Sequence, residues 1–245
     1  MRHFQLSACA EVCHMQSCGI LPSAGMGIRV QVSHDEHTMV VQDKFPKGRV
    51  HLLVIARDKC LLDISCLRRQ HVPVLDHMVA IAERSVLTHG QGLGIVRFHP
   101  SSCLVLWRSS RYCIRITQHA VQLLHTQTWY SNVWHLLQKD MLVGFHWEPS
   151  LKQMHMHVVS RELQGTGMKR AQHWRSFTSP FFRKVQDVHQ ELTTTGCVAI
   201  DFLEIRRLNG EPLVCPECGQ KQASVKVAQS HLENCLRMSG HAAAR

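Results

Sequence analysis

Acidic side chains are scarce in this chain and unevenly placed. Between Ser85 and Lys139 there is no Asp or Glu, and residues 1–27 hold only Glu11. Over the whole chain 28 Lys and Arg stand against 18 Asp and Glu, a net charge of +10. Such an excess argues against a cationic partner and for a polyanion such as nucleic acid, without implying sequence specificity. Long apolar runs are missing too. None reaches the length of a membrane-spanning helix, and the amino terminus has no uninterrupted apolar core of signal-peptide type. A disulfide framework is also absent: the eleven cysteines are odd in number and scattered. Reduced thiols in a soluble, intracellular protein are the expectation.

At 245 residues there is room for one core-bearing domain and a small appendage. Residues 1–27 show no periodicity and read as a poorly ordered lead. From 28 to 58 the pattern is that of strands. Val30 and Val32 alternate, Met39-Val40-Val41 follows, and Val50-His51-Leu52-Leu53-Val54-Ile55 reads as a buried strand. Asp43-Lys44-Phe45-Pro46-Lys47-Gly48 reads as the turn between the last two. Val72, Leu75, Val79, Ala82 and Val86 step by three or four, which predicts a helix with one apolar face and Pro73 near its start.

The block from about 88 to 139 reads differently. Gly90, Gly92, Gly94 and Pro100 interrupt the periodicity, residues 103–107 suit a strand, and 118–137 suit an amphipathic helix. The block is expected to be an atypical insertion, an incidental segment rather than a basic flap over a polyanion. Strands are then expected over Met141–His146 and 154–159, around a turn at Pro149. Ser179-Pro180 is expected to open a helix that buries Phe181, Phe182, Val185, Val188 and Leu192 and ends at Gly196. Val198-Ala199-Ile200 reads as a short strand before a linker.

Two groups of residues carry chemistry. HMHVV at 155–159 places His155 and His157 on one face of a strand, with Met154, Met156 and Val158 on the other. Neighbouring imidazoles on a rigid strand can act as nucleophile and proton donor in phosphoryl or nucleotidyl transfer. Among 19 histidines a chance His-x-His is expected, so this pair is not decisive alone. Cys215 and Cys218, followed by His231 and Cys235, supply four ligands in the spacing of a zinc knuckle and a helical turn. One structural Zn2+ per chain is expected, with no open position for catalysis.

DKFPKGRVHLLV at 43–54, GFHWEPSLKQMHMHVVS at 144–160, HWRSF at 173–177 and the zinc module occur in that order. In these residues, within about 28–87 and 141–236, the chain resembles the aprataxin branch of the histidine-triad superfamily, which carries a C-terminal zinc finger. The resemblance implies an α+β fold with an antiparallel sheet and packed helices. It divides the chain into the lead, a catalytic domain over 28–200 and a linker with zinc finger over 201–245. It further implies a nuclear hydrolase that removes AMP from 5′-adenylated nicked or broken DNA, or from RNA–DNA junctions, through a covalent AMP-histidine. His155 corresponds to the nucleophile, His157 to a group orienting the phosphate, and His146 to one stabilising the leaving oxygen. Ser150 corresponds to a phosphate contact, while Lys47 and His51 border the site. Gln153 stands where the triad has its first histidine; it can hydrogen-bond substrate there but cannot titrate. Two other readings remain: a small-nucleotide phosphoramidate hydrolase, and a catalytically impaired nucleic-acid-binding protein of the same fold. In HWRSF, Trp174 and Phe177 are expected to be core or a brace between modules rather than base-stacking groups.

Overall fold

The computed structural model describes residues 31–92, 96–99, 104–108, 113–117, 140–208 and 210–242. The expected lead over 1–27 and the expected helix over 118–137 lie outside them. The main sheet has six antiparallel strands: β1 (Gln31–His34), β2 (Thr38–Gln42), β3 (His51–Ala56), β7 (Met141–His146), β8 (His155–Ser160) and β9 (Phe182–Lys184). Their order is β1-β2-β3-β8-β7-β9. All six residues of β3 are buried, as its unbroken apolar run requires of a central strand.

Alternation along the strands sorts their side chains. Val40, Leu52, Val54, Val143, Met156 and Val158 join one core, against α1 (Val72–Gly92) and a helix at Val185–Thr194. Along α1 the expected stripe of Leu75, Val79, Ala82 and Val86 is buried, with Met78 and Ile81 added. The helix runs on through Gly90, because a helical glycine costs only about 1 kcal/mol and does not forbid the turn. Beyond it, β4 (Val96–His99), β5 (Leu104–Arg108) and β6 (Cys113–Thr117) form a separate antiparallel sheet. The expected strand at 103–107 is thus β5.

Two expected elements are placed differently. Ser179 does not open a helix; it closes α2 (Ala171–Thr178), its amide and hydroxyl both donating to Arg175 O, at 3.1 and 2.7 Å. Phe182 then enters β9, and α3 (Val185–Thr194) starts only after it. The apolar spacing of Phe182, Val185 and Val188 imitates one helix across a turn, a strand and a helix. Likewise Val198 is buried, yet residues 198–200 form no strand; the pairing there is a single bridge from Cys197 to Arg68.

The opposite face of the sheet supports the C-terminal module. This comprises α4 (Phe202–Leu208), a ribbon of β10 (Leu213–Val214) and β11 (Lys221–Gln222), and α5 (Val225–Ala242). Val159, Leu163, Met168, Trp174, Phe177 and Phe182 share a second core with Leu213, Cys215, Ala228, Leu232 and Leu236. Trp174 is fully buried and donates its indole N–H to Val214 O at 2.9 Å, so it braces the two parts as expected. The Arg175 guanidinium donating to Glu211 O at 2.6 Å, the Arg161–Glu217 ion pair at 2.7 Å, and two carboxamide bonds, Gln164 Nε2 to Gln229 O at 2.9 Å and Gln229 Nε2 to Leu163 O at 2.7 Å, complete the join. Among the described residues no helix is long and apolar enough to cross a membrane.

Candidate active site

On the face of the sheet away from the α1 core, β8 presents His155 and His157, with His51 from β3 and His146 from the end of β7 beside them. Ring centroids lie 4.9 Å apart for His155–His157, 4.2 Å for His146–His157 and 5.3 Å for His51–His157. Of the residues expected to act, these four converge. Lys47 joins them by charge, which lowers the basicity of His146 and His157.

Main-chain groups decide where the protons sit. The Lys47 amide donates to His51 Nδ1 at 3.1 Å, so the neutral His51 ring carries its proton on Nε2. That nitrogen lies 3.0 Å from His157 Nδ1 and donates to it. His157 therefore carries its own proton on Nε2, an atom that is buried and has no hydrogen-bond partner among the described residues; His146 Nε2 is in the same position. At the other end of the cluster His155 Nδ1 donates to Gln153 O at 2.7 Å, which leaves the ring lone pair on Nε2. The array thus offers a nucleophilic nitrogen next to an N–H donor.

Burial sets the charge state. It pushes His146 down to about 3, helped by the positive ends of His155, His51 and Lys47, and it drives His157 well below the usual histidine range. Burial also lowers Lys47, while the Asp43 carboxylate holds it up. Phe177 supplies much of the apolar wall. Its ring meets His146, His157 and His51 at 4.7, 5.5 and 5.8 Å, nearly edge to face.

Ser150 and Gln153 stand apart from the cluster. Ser150 is exposed, on the rim of a cleft of about 250 Å³ that opens from His146 and is also lined by Glu148, His173, Arg175 and Ser176. The Gln153 carboxamide nitrogen is bonded to the carbonyls of Ala56 and Asp58 at 2.7 and 2.8 Å. His173, Arg175 and Ser176 of the cleft and Phe177 all belong to the HWRSF motif; the motif marks Phe177 as core or brace but does not show its contact with the imidazoles or that its neighbours line a cleft. The sequence places Asp43 in a turn, and its Oδ2 lies 3.6 Å from His51 Nε2. Asp43, His51 and His157 are close enough to share a metal ion. The Lys47 amide argues against it, since it keeps a proton on the His51 nitrogen that would have to ligate.

The C-terminal cluster is different. Cys215, Cys218, His231 and Cys235 bring four ligand atoms within 4.8 Å of one another. The Cys218 and Cys235 sulfurs are 3.8 Å apart, and His231 Nε2 lies 3.1 and 3.2 Å from them. Tetrahedral zinc with arms of about 2.3 Å has edges of about 3.8 Å, so the donor set fits. Gly219, at φ +73°, makes the left-handed turn that the knuckle needs. The His231 imidazole holds the Cys218 thiol down at about 7, while burial and the neighbouring sulfurs push Cys235 up to about 12. A shared cation would relieve this crowding. These four residues can hold a metal ion.

The family described as "Scavenger mRNA decapping enzyme C-term binding" matches residues 27–101 and 110–173. The chain is 25% identical to aprataxin of Gallus gallus over 213 residues, 87% of this chain and 53% of that one. It is 26% identical to the aprataxin-like protein of Schizosaccharomyces pombe over 191 residues, 77% of this chain and 66% of that one. Against the aprataxins of Gallus gallus and Danio rerio the chain spans about half of their length, 53% and 50%. Its fold is similar to that of the aprataxin ortholog Hnt3 of Schizosaccharomyces pombe, with TM-score 0.54 and 21% identity over 84% of each chain. A structure of Hnt3 in complex with DNA gives TM-score 0.54 and 21% identity over 86% of this chain and 90% of that one. The chain belongs to the family of the scavenger mRNA decapping enzyme C-terminal binding region, and within the histidine-triad superfamily it is aprataxin-like.

Proposed function

We propose that this chain hydrolyses 5′-adenylated DNA ends, releasing AMP and leaving a 5′-phosphate. The observation that carries the reading is the convergence of His51, His146, His155 and His157, with the His155 proton held on Nδ1 by Gln153 O. His155 Nε2 attacks the AMP phosphorus, a P–N bond forms, and the bond to the bridging oxygen of the 5′ end breaks. His157 Nε2–H donates to a phosphate oxygen, and His146 faces the leaving oxygen. Water then cleaves the phosphoramidate, returning the imidazole and AMP. The neutral state of His146 and His157 suits an incoming polyanion, whose charge draws protons toward both rings.

The net charge of +10 supports a nucleic-acid substrate, as does Phe45. This side chain is 62% exposed at the tip of the turn that carries Lys47, with Lys44 over its ring at 5.7 Å, a surface on which a terminal base can stack. Ser150 and the cleft beside His146 take the phosphorylated end, while Lys47 borders the adenylate; the Gln153 carboxamide, bonded to the carbonyls of Ala56 and Asp58, is turned to the main chain rather than to substrate. One structural Zn2+ per chain, held by Cys215, Cys218, His231 and Cys235, gives the module over 201–245 a rigid scaffold beside the catalytic part over 28–200. The setting is nuclear, in single-strand break repair.

The test is to incubate 5′-adenylated nicked DNA with the protein and follow AMP. Release by the parent and none by His155→Ala is expected. Turnover of adenosine phosphoramidate but not adenylated DNA would establish a small-nucleotide hydrolase, and DNA binding without any AMP release would establish a non-catalytic binder.

A further inference from the structure

Three main-chain carbonyls converge on one side-chain nitrogen where the chain enters β8. Gln153 Nε2 donates to Ala56 O at 2.7 Å and Asp58 O at 2.8 Å, with Leu61 O at 3.3 Å. One residue on, the main chain repeats the join: Met154 N donates to Leu61 O at 2.9 Å, and Ala56 N donates to Met154 O at 3.0 Å. The same Gln153 turns its carbonyl to the His155 Nδ1 proton at 2.7 Å. A point ringed by acceptors demands a donor, and a primary amide offers two N–H groups at any pH. A neutral imidazole there would offer one and be drawn toward its cation by the carbonyls. A carboxylate would be repelled by them.

We propose that Gln153 is a positioning residue: it ties the 56–61 segment to β8, fixes the carbonyl that sets the His155 tautomer, and does so without an ionisation of its own. The role rests on His155 being the nucleophile of the reaction above. Which nitrogen of an imidazole keeps its lone pair is decided by the bond made at the other. Loss of such an orienting partner leaves the reaction possible but misdirected, a defect of about 10⁴-fold where an aspartate orients a catalytic histidine. The titratable and charged groups around the anchor are His155, Asp58, whose Oδ1 takes the Cys60 amide at 2.9 Å, and the exposed Arg57, Lys59 and Lys152. The carboxamide meets main-chain oxygens from these neighbours, and its hold does not depend on their charge.

The full chain is compared with its Gln153→Glu and Gln153→His forms in two measurements from about pH 5 to about pH 9. One is the single-turnover rate of AMP-histidine formation on 5′-adenylated nicked DNA. The other is the nitrogen-15 spectrum of the His155 ring without substrate, which reports the tautomer directly. At high pH the Glu form is expected to mix tautomers and lose at least about tenfold in kcat with KM little changed, recovering as the carboxyl takes up a proton. The His form is expected to show an added ionisation above the usual histidine value, absent from the parent. Coincident pH profiles and identical His155 tautomers in all three proteins would overturn the role. Should the parent form no AMP-histidine, the functional reading fails, while the spectra still decide what Gln153 does. Should the Glu form not fold, the His form, which keeps a donor at the anchor, makes the same comparison.

Discussion

An imidazole does what its second nitrogen allows. In this site main-chain atoms hold both ends of the array: the Lys47 amide at His51 and the Gln153 carbonyl at His155. Rings of one chemical kind are thereby given different work. Their burial also writes a pH dependence into stability. In the unfolded chain His146 and His157 take up protons below the usual histidine value of about 6.5, whereas in the fold His146 waits until about 3. Between those values the unfolded state binds more protons, so stability is complete above about 6.5 and is lost as pH falls toward 3, by a few kcal/mol in total. Denaturant unfolding at pH 7 and pH 5 should show this loss in the parent and a smaller one in His146→Gln; equal losses would contradict it. The facing of His155 and His157 was legible because a strand repeats every two residues. The roles of Phe177 and Asp43 were not, because the rings they touch come from strands remote in sequence or across a turn.

At the scale of elements, the turn over 43–48 is held by a segment with no periodic pattern. Gly165 N donates to Lys47 O at 3.0 Å and Gly167 N to Pro46 O at 2.7 Å. A Cβ on Gly165 would lie 2.2 Å from Pro46 O, and one on Gly167 equally close to Phe45 O. Gly165→Ala is therefore expected to destabilise the fold by about 1–3 kcal/mol and to raise KM by displacing Lys47. The denaturation midpoint and steady-state kinetics check both, and an unchanged midpoint would show that the two backbones can separate freely. Long single-pattern elements such as β3 and α1 were readable from the sequence. The stretch from Ser179 to Val188 was not, because the hydroxyl that caps one helix can as well end another, and only the Arg175 carbonyl decides which.

At the scale of the molecule, the metal-binding module is not a separate bead. Cys215 lies in the same core as Trp174 and Phe177, and Phe177 lies against the clustered imidazoles of His146, His157 and His51. If the module holds the one zinc proposed, replacing Cys215 and Cys218 by serine should abolish its binding and cost several kcal/mol of stability. It should also speed hydrogen exchange at Trp174 and Phe177; slow exchange there after full metal loss would mean that the module is energetically independent. The ligand spacing of the module and the α+β order were both evident from the residues. Their shared core was not, since an amphipathic helix such as α5 declares which face is buried but not against what.

The proposed reaction passes through a bond between adenylate phosphorus and one imidazole nitrogen, so the decisive measurement is where that adenylyl group sits. Protein quenched during turnover of 5′-adenylated nicked DNA and mapped by mass spectrometry should carry AMP on His155. Turnover with no adenylyl group at His155, or with one on another residue, would contradict the account.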